Sequence, residues 1–257
     1  MATIFDDVFN KAGIYNMLFF NIKTVLEYPT LKDLKENNKP MYNRWLYIHD
    51  NKYNDGDGDL EMVMESAYKK NAVYYSEFAK IVAISYATIY VEDGNLKRDI
   101  KKIVNLDERV VIETFFDDLN LLSNPDVKTF PCLCGHNIIS YDIPTLIKRF
   151  IQINSKEKKN QLPLILKNSL NLKPWDSGII DVVNVWKFNG FEHTSLMLIS
   201  DYLGLKKTIE LLPLDELSEY FWDNIGENQK QTLSYIGLQS ATQTNLVIQL
   251  MNELRQI

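Results

Sequence analysis

The sequence predicts an α/β protein in which a mixed central sheet is flanked by helices. Short apolar segments rich in β-branched and aromatic residues recur between residues 17 and 181, as is typical of strands. Segments whose apolar residues stand three and four positions apart alternate with them, and the chain keeps this helical spacing from Leu214 onward. At 257 residues the chain can bury a sizeable core, and we expect one domain over residues 1–257.

The composition limits the classes of function. The net charge of −6 and the pI of about 5.2 exclude a basic field over the whole surface, so nucleic-acid binding would depend on a local groove. Cys132 and Cys134 are too close in sequence for an unstrained disulfide and too few for a metal site, which favours buried free thiols in a reducing compartment. With no secretion signal and no membrane-length apolar run, we expect a cytoplasmic protein that does not contact a membrane.

The first third of the chain contains one clear strand. The apolar segment Met17–Thr24 predicts this strand, and residues 1–16 precede it as a short helix or packed arm. Residues 28–75 are polar and predict an irregular insertion with Trp45 as an apolar anchor. The Asp-Gly repeats at 53–59 lack the Gly and the Glu that an EF-hand loop requires at its sixth and twelfth positions, so they predict a solvated turn.

The middle of the chain predicts more strands. Ile81–Tyr90 is a β-branched and aromatic segment, and after the turn at Asp93–Asn95 the segment 96–105 is expected to pair back on it. Arg109–Thr114 predicts another short strand and Phe115–Ser123 a helix. Three strands joined by short turns and followed by a helix are typical of the start of an RNase H-like fold.

The second half predicts two further strands. One buried strand ends at Gly135, and a helix begins near Asp142 with Pro144 in its first turn. The other strand starts at Ile179 and is expected to continue to Trp186. Further helices are predicted at Leu162–Leu172, Thr194–Tyr202, Leu214–Trp222 and Asn228–Leu254.

Three motifs stand in order along the chain. They read Phe-Asn-Ile-Lys-Thr at 20–24, Gly-His-Asn followed by Tyr-Asp-Ile-Pro within 135–144, and Tyr-Ile-Gly-Leu-Gln at 235–239. An Ile-Asp and a Trp-Lys-Phe within 180–188 add a fourth passage. Together they resemble the DEDD (DnaQ-like) 3′–5′ exonuclease superfamily, in particular the proofreading-type exonuclease domain of family B DNA polymerases. The resemblance covers roughly residues 17–254 and implies the RNase H-like exonuclease fold.

The resemblance implies a two-metal site whose ligands have changed. In the family, four carboxylates hold two divalent ions, which activate water and stabilise the leaving 3′ oxygen, and a motif Tyr orients the water. The matching positions here are Asn21, Lys23, Asp142 and Gln239, with Tyr235 as the water-orienting residue. Asn and Gln offer only neutral carbonyl oxygens, and Lys offers no acceptor.

The charges of these residues exclude a normal metal site. They sum to zero, whereas four carboxylates would balance two divalent ions. A Lys ammonium about 4 Å from a divalent ion would be repelled by about 8 kcal/mol at an effective dielectric near 20. We therefore expect no metal cofactor, with Lys23 taking the place of metal and pairing with Asp142.

The function expected from this site is non-catalytic. We expect a degenerate exonuclease-like protein retained for weak binding of single-stranded DNA or RNA, or for assembly with a protein partner. Asn137, Tyr141, Lys97 and Lys101 are the expected nucleic-acid contacts.

Two other interpretations remain open. One is an active 3′–5′ exonuclease that uses Mg²⁺ or Mn²⁺, either in an altered site where Asp181 or Glu113 replaces lost ligands or with its motifs in a different register. The other is an exonuclease whose ligands were replaced deliberately to trap substrate. Each residue also has an ordinary structural interpretation, because Asn21 and Lys23 alone would suit the polar face of any strand.

Overall fold

A computed structural model describes residues 17–53, 60–93, 95–122, 131–154, 161–169, 178–188 and 190–255. The predicted N-terminal arm at 1–16 and the Asp-Gly repeats at 54–59 lie outside the described residues. Within the described part, no helix is both long and apolar enough to cross a membrane.

The core of the molecule is a five-stranded mixed sheet. Its order is β3-β2-β1-β4-β5, with β1 antiparallel to β2, β2 antiparallel to β3, and β4 parallel to both β1 and β5. The strands are β1 (Met17–Leu26), β2 (Ala79–Glu92), β3 (Asn95–Val104), β4 (Cys132–Gly135) and β5 (Ile179–Asp181). This confirms the predicted α/β class with a mixed sheet flanked by helices.

Helices cover the sheet and extend beyond its edges. They are α1 (Leu31–Asn37), α2 (Lys39–Tyr53), α3 (Leu60–Asn71), α4 (Glu108–Leu122), α5 (Ile143–Asn154), α6 (Leu164–Ser169), α7 (Val182–Trp186), α8 (Leu196–Leu203), α9 (Leu214–Asn224) and α10 (Gln229–Leu254). A 3₁₀ turn at Ala72–Tyr74 leads into β2, and a wide π-type turn at Ile138–Asp142 leads into α5.

Successive side chains of β1 point to opposite faces of the sheet, so the strand contributes to two separate parts of the core. Leu18, Phe20 and Ile22 pack with α4 and α5 on one face of the sheet. Phe19 packs with α8 and α10 on the other face. Asn21 and Lys23 follow Phe19 at period 2 and therefore share the α10 face, where polar residues of α10 meet them.

The prediction that residues 28–75 form an irregular insertion is wrong. The segment holds α1, α2 and α3, and Thr30 caps α1 by accepting a hydrogen bond from the Asp33 N–H at 3.0 Å. Trp45 is fully buried, as predicted, and packs edge-on against Tyr68 at a centroid distance of 5.4 Å. α1 buries Leu31 and Leu34, and α3 buries Met64, Ala67 and Tyr68, so helical spacing is present in the sequence although polar residues predominate.

Two predicted strands are helices instead. Arg109–Thr114 lies within α4, where Val111, Ile112 and Phe115 are buried on one helical side. The predicted continuation of the last strand to Trp186 forms α7, because the Asp181 side chain accepts the Val183 N–H at 3.1 Å and starts a helix there. β-branched residues favour strands, but packing and capping decide in both cases.

Candidate functional site

A pocket of about 260 Å³ opens beside the end of β4, on the α10 face of the sheet. Its walls come from β1, from the turn after β4, from the start of α8, and from the segment before α9. The lining residues used below are Asn21, Lys23, Tyr74, Asn137, Tyr141, Asp142 and Gln243. The sequence prediction and the geometry therefore agree that Asn21, Lys23 and Asp142 lie together.

β1 is longer than its parallel neighbour, and this difference places Asp142. β4 pairs only with Met17–Phe19, so the N–H of Ile22 has no strand partner on that side. Asp142 Oδ1 accepts this N–H at 2.8 Å and the Asn21 Nδ2 at 3.2 Å. The carboxyl thus continues the edge of β1 where the sheet stops, and it is almost completely buried.

A second carboxylate shapes the turn that carries Asp142. Asn137 adopts a left-handed conformation with φ of 65°, which reverses the chain after β4. Asp181 accepts the N–H groups of Asn137 at 2.8 Å, Ile139 at 3.0 Å and Val183 at 3.1 Å. Both Asp181 oxygens are used in holding this turn.

Lys23 is a buried amine inside the pocket. Its side chain is 4% exposed, and its Nζ donates to Gln243 Oε1 at 2.5 Å. Burial lowers the pKa of Lys23 to about 8, although the charge of Asp142 opposes this shift. Lys23 and Asp142 thus interact through their charges, but no N–O distance of 4.0 Å or less joins them. The predicted direct ion pair is therefore corrected: Gln243 is the direct partner of Lys23.

Asp142 has the opposite shift for the same reason. Burial raises the pKa of Asp142 to about 7, while the Ile22 N–H and the charge of Lys23 act to lower it. The charge of Asp181 raises it further. Near neutral pH the pocket therefore holds an acid and an amine that both titrate close to the ambient pH.

Hydroxyl groups continue the polar site into the core. The Ser240 hydroxyl lies 3.3 Å from Asn21 Oδ1 and 2.9 Å from Ser85 Oγ. Ser85 Oγ lies 2.6 Å from Thr244 Oγ1, and all of these residues are buried. Because Asn21 Nδ2 donates to Asp142, this network fixes the amide with its oxygen turned toward α10.

Gln239, the residue predicted for the third motif, lies outside the pocket. Gln239 is buried, but its Nε2 donates to the Glu210 carbonyl at 2.8 Å and to the Tyr235 hydroxyl at 2.9 Å. Its Oε1 accepts the Leu212 N–H at 3.0 Å, so it fastens the segment before α9. Neither Gln239 nor Tyr235 lines the pocket. Gln243, four residues later on the same side of α10, occupies the place expected for Gln239.

The predicted nucleic-acid contacts separate into two groups. Asn137 and Tyr141 line the pocket, and the Tyr141 hydroxyl is fixed by Val73 O at 2.9 Å and Thr24 Oγ1 at 2.6 Å. Lys97 and Lys101 do not line it. Lys101 pairs with Tyr86 across the sheet and approaches Asp118 of α4 at 3.9 Å, which places it on the opposite face from Asn21.

The donor set does not fit a pair of divalent ions. Within the described ranges, no group of three or more His, Cys, Asp or Glu side chains is arranged to hold a metal. Asp181 is committed to backbone N–H groups, and Glu113 lies on α4, 3.7 Å from Arg109. A buried Lys in the position of a ligand adds positive charge where metal binding needs negative charge.

The comparisons with known proteins leave the family unassigned. The chain matches no protein-family model, and no curated protein matches it.

Proposed function

We propose that this chain is a catalytically inactive exonuclease-like protein that binds the 3′ end of a single nucleic-acid strand in the pocket without cleaving it. The observation that carries the proposal is the buried amine of Lys23 beside Asp142. In a two-metal exonuclease both positions would hold carboxylate ligands.

The sheet supports the proposed RNase H-like fold. It begins with three consecutive antiparallel strands, and a helix and a parallel strand on the other side of β1 follow. Residues at the first and second motif positions meet in one pocket, as the resemblance implies. The agreement between motif order and spatial convergence is stronger support than either one alone.

The chemistry of Lys23 supports binding in place of catalysis. An ammonium has three N–H donors, and Gln243 accepts from one. The remaining donors suit an anionic oxygen such as that of a phosphodiester. A positive charge beside such a phosphate could replace part of the charge that metal ions supply in an active exonuclease, without generating a hydroxide.

The acidic surface limits the strength of this binding. With a net charge of −6, attraction of a polyanion has to come from the pocket and its immediate surroundings. We place this function in the cytoplasm and expect a protein partner to contribute where tight binding is needed.

The proposal is tested with a 3′-labelled single strand in Mg²⁺ and in Mn²⁺, using wild type and Asp142→Ala. We expect no degradation by either protein. Fluorescence anisotropy with an uncleaved strand should show weaker binding by Lys23→Met, because the buried cation is lost. Lys101→Met is the matched control and should bind like wild type, since Lys101 lies on the other face of the sheet.

Two results would contradict the proposal. Degradation by wild type that Asp142→Ala abolishes would establish an active exonuclease with other ligands. Equal strand binding by wild type and Lys23→Met would exclude the pocket as the binding site.

A further inference from the structure

Three aromatic rings outside the pocket form a group that we call the aromatic patch: Trp186, which is partly buried against the core, and the exposed Phe188 and Tyr202. The Trp186 ring lies 5.9 Å from that of Phe188 and 6.4 Å from that of Tyr202, measured between centroids. Phe188 is 52% exposed and Tyr202 is 79% exposed. Leu198, one helical turn before Tyr202 on α8, is 61% exposed and extends the same surface.

The aromatic patch lies on α8, whose start lines the pocket, and at the end of α7. The first turn of α8 lines the pocket through Ser195 and Met197, while Tyr202 lies further along this helix. Trp186 ends α7, which begins at the Asp181 cap that holds the pocket turn. His136 Nε2 lies 3.1 Å from the Thr194 carbonyl and connects that turn to the start of α8.

The left-handed residue Phe188 ends α7. Its φ is 46°, and its N–H donates to the Val185 carbonyl at 3.3 Å, which is a common way for a helix to terminate. Its side chain remains half exposed despite being strongly apolar, so its ring is accessible at the surface.

One lysine lies within the aromatic patch in sequence. Lys187 stands between Trp186 and Phe188. Asp201, beside Tyr202, pairs with Lys207 at 2.5 Å, and the same lysine pairs with Glu210 at 2.9 Å. A cation between aromatic residues is the combination that binds unpaired bases and their phosphates.

We propose that a strand whose 3′ end occupies the pocket continues over the aromatic patch, where its unpaired bases stack on Trp186, Phe188 and Tyr202. This inference rests on the proposed function and names the ligand outside the pocket as single-stranded nucleic acid. Lys187 contacts the backbone phosphates there. Because every base has a stacking face, this contact tolerates any sequence.

The inference predicts a dependence on strand length. We compare fluorescein-labelled dT3, which reaches only the pocket, with dT12, which also reaches the patch, using anisotropy. Phe188→Ala with Tyr202→Ala should weaken dT12 binding about tenfold or more, the loss expected when stacking partners are removed, and leave dT3 binding unchanged. The single variant Tyr202→Trp, in which Phe188 is native, keeps an aromatic ring at position 202. It should bind dT12 with most of the wild-type affinity.

Tyr47→Ala is the matched control, because Tyr47 is a similarly exposed tyrosine on a helix, at 74%. Tyr47→Ala should change the binding of neither dT3 nor dT12. Equal weakening of dT3 and dT12 by the patch variant would overturn the inference, since the patch would then act through the shape of the pocket.

Other outcomes separate this inference from the proposed function. Unchanged dT12 binding by the patch variant, with weaker binding of both strands by Lys23→Met, would overturn the inference and leave the pocket function intact. Patch-dependent binding of dT12 that Lys23→Met does not affect would contradict the pocket function and also overturn the inference, because the strand would then bind the patch without entering the pocket. A change confined to self-association in analytical ultracentrifugation would also overturn the inference and identify a protein interface.

Discussion

Single residues decide the chemistry of this pocket. Lys23 and Asp142 are both buried, and burial penalises the charged form of each. Hydrogen bonds offset part of this penalty: Lys23 donates to Gln243, and Asp142 accepts from the Ile22 N–H. Keeping two ionisable groups in this environment costs stability, which is typical of positions retained for function.

The raised pKa of Asp142 predicts how the free energy of unfolding depends on pH. Its carboxyl has a folded-state pKa of about 7 and an ordinary value of 3.8, so the folded protein binds more protons between these values. The free energy of unfolding should therefore fall by a few kcal/mol as the pH rises from about 4 to about 7. Asp142→Asn should lose this slope, as measured by urea unfolding at several pH values. The exposed Asp117→Asn should retain it, and an unchanged slope in Asp142→Asn would contradict the assignment.

The sequence predicted most of the site at this scale but not its last residue. Asn21, Lys23 and Asp142 were selected because the motifs around them resemble those of the exonuclease family, and period 2 along β1 places Asn21 and Lys23 on one face. Gln243 was missed because Tyr235 fixed the register of the third motif, although Gln243 lies on the same side of α10 as Gln239. In the structure Gln243 contacts Lys23 and lines the pocket, whereas Gln239 bonds to the segment before α9.

At the scale of elements, the junction of β4 with the following turn determines where the second motif lies. A Cβ on Gly135 would stand 2.3 Å from Ile138 Cγ2 and 2.8 Å from the Phe20 carbonyl oxygen. Since the second neighbour is backbone of β1, a side chain cannot be accommodated without separating the two strands.

Gly135→Ala should therefore lower the free energy of unfolding by about 1–3 kcal/mol or more, as overpacking does. It should also weaken strand binding, because the turn that carries Asn137 and Asp142 moves. Gly226→Ala is the control, since nothing lies within 4 Å of its Cβ. Equal stability of the two variants in urea unfolding would contradict the described approach of β4 to β1.

The mispredicted elements are those in which local residue preference and tertiary packing favour different structures. The Val110-Val111-Ile112 segment favours a strand locally, but α4 buries Val111, Ile112, Phe115 and Phe116 together, a spacing that only a helix allows. At Asp181 the decisive feature is a side-chain cap, which β-branched Val182 and Val183 conceal in the sequence. Helices α1–α3 bury residues at helical spacing, such as Leu31 with Leu34 and Met64 with Ala67 and Tyr68, but the polar composition of residues 28–75 led to the prediction of an irregular insertion.

At the scale of the whole molecule, a buried charge network joins distant parts of the chain. Arg149 of α5 donates to Glu108 at 2.6–3.0 Å and to Glu27 at 3.2 Å. Glu108 also accepts the Ile81 N–H at 2.6 Å, so the network connects α4, α5, β2 and Glu27, which directly follows β1. Arg149 and Glu108 are almost completely buried.

Arg149→Met should lower the free energy of unfolding by about 3–5 kcal/mol, because it leaves the Glu108 carboxylate buried without its partner. Lys148→Met removes the neighbouring salt bridge to Glu77, which is 3.0 Å long but about half exposed on both sides. It should cost less than about 1 kcal/mol. Thermal and urea unfolding of the two variants give the comparison, and a small effect of Arg149→Met would exclude this network as a major source of stability.

The central claim is that this pocket has the geometry of an exonuclease metal site with its charges removed. The most direct test restores them: Asn21→Asp, Lys23→Glu and Gln243→Asp are combined, with Asp142 native. Binding of Mn²⁺ is followed by the loss of the free-ion signal in electron paramagnetic resonance. We predict that this triple variant binds Mn²⁺ and that wild type does not. A second triple variant, with Gln239→Asp in place of Gln243→Asp, should bind Mn²⁺ more weakly than the first. Tight Mn²⁺ binding by wild type, or no binding by a folded triple variant, would contradict the account.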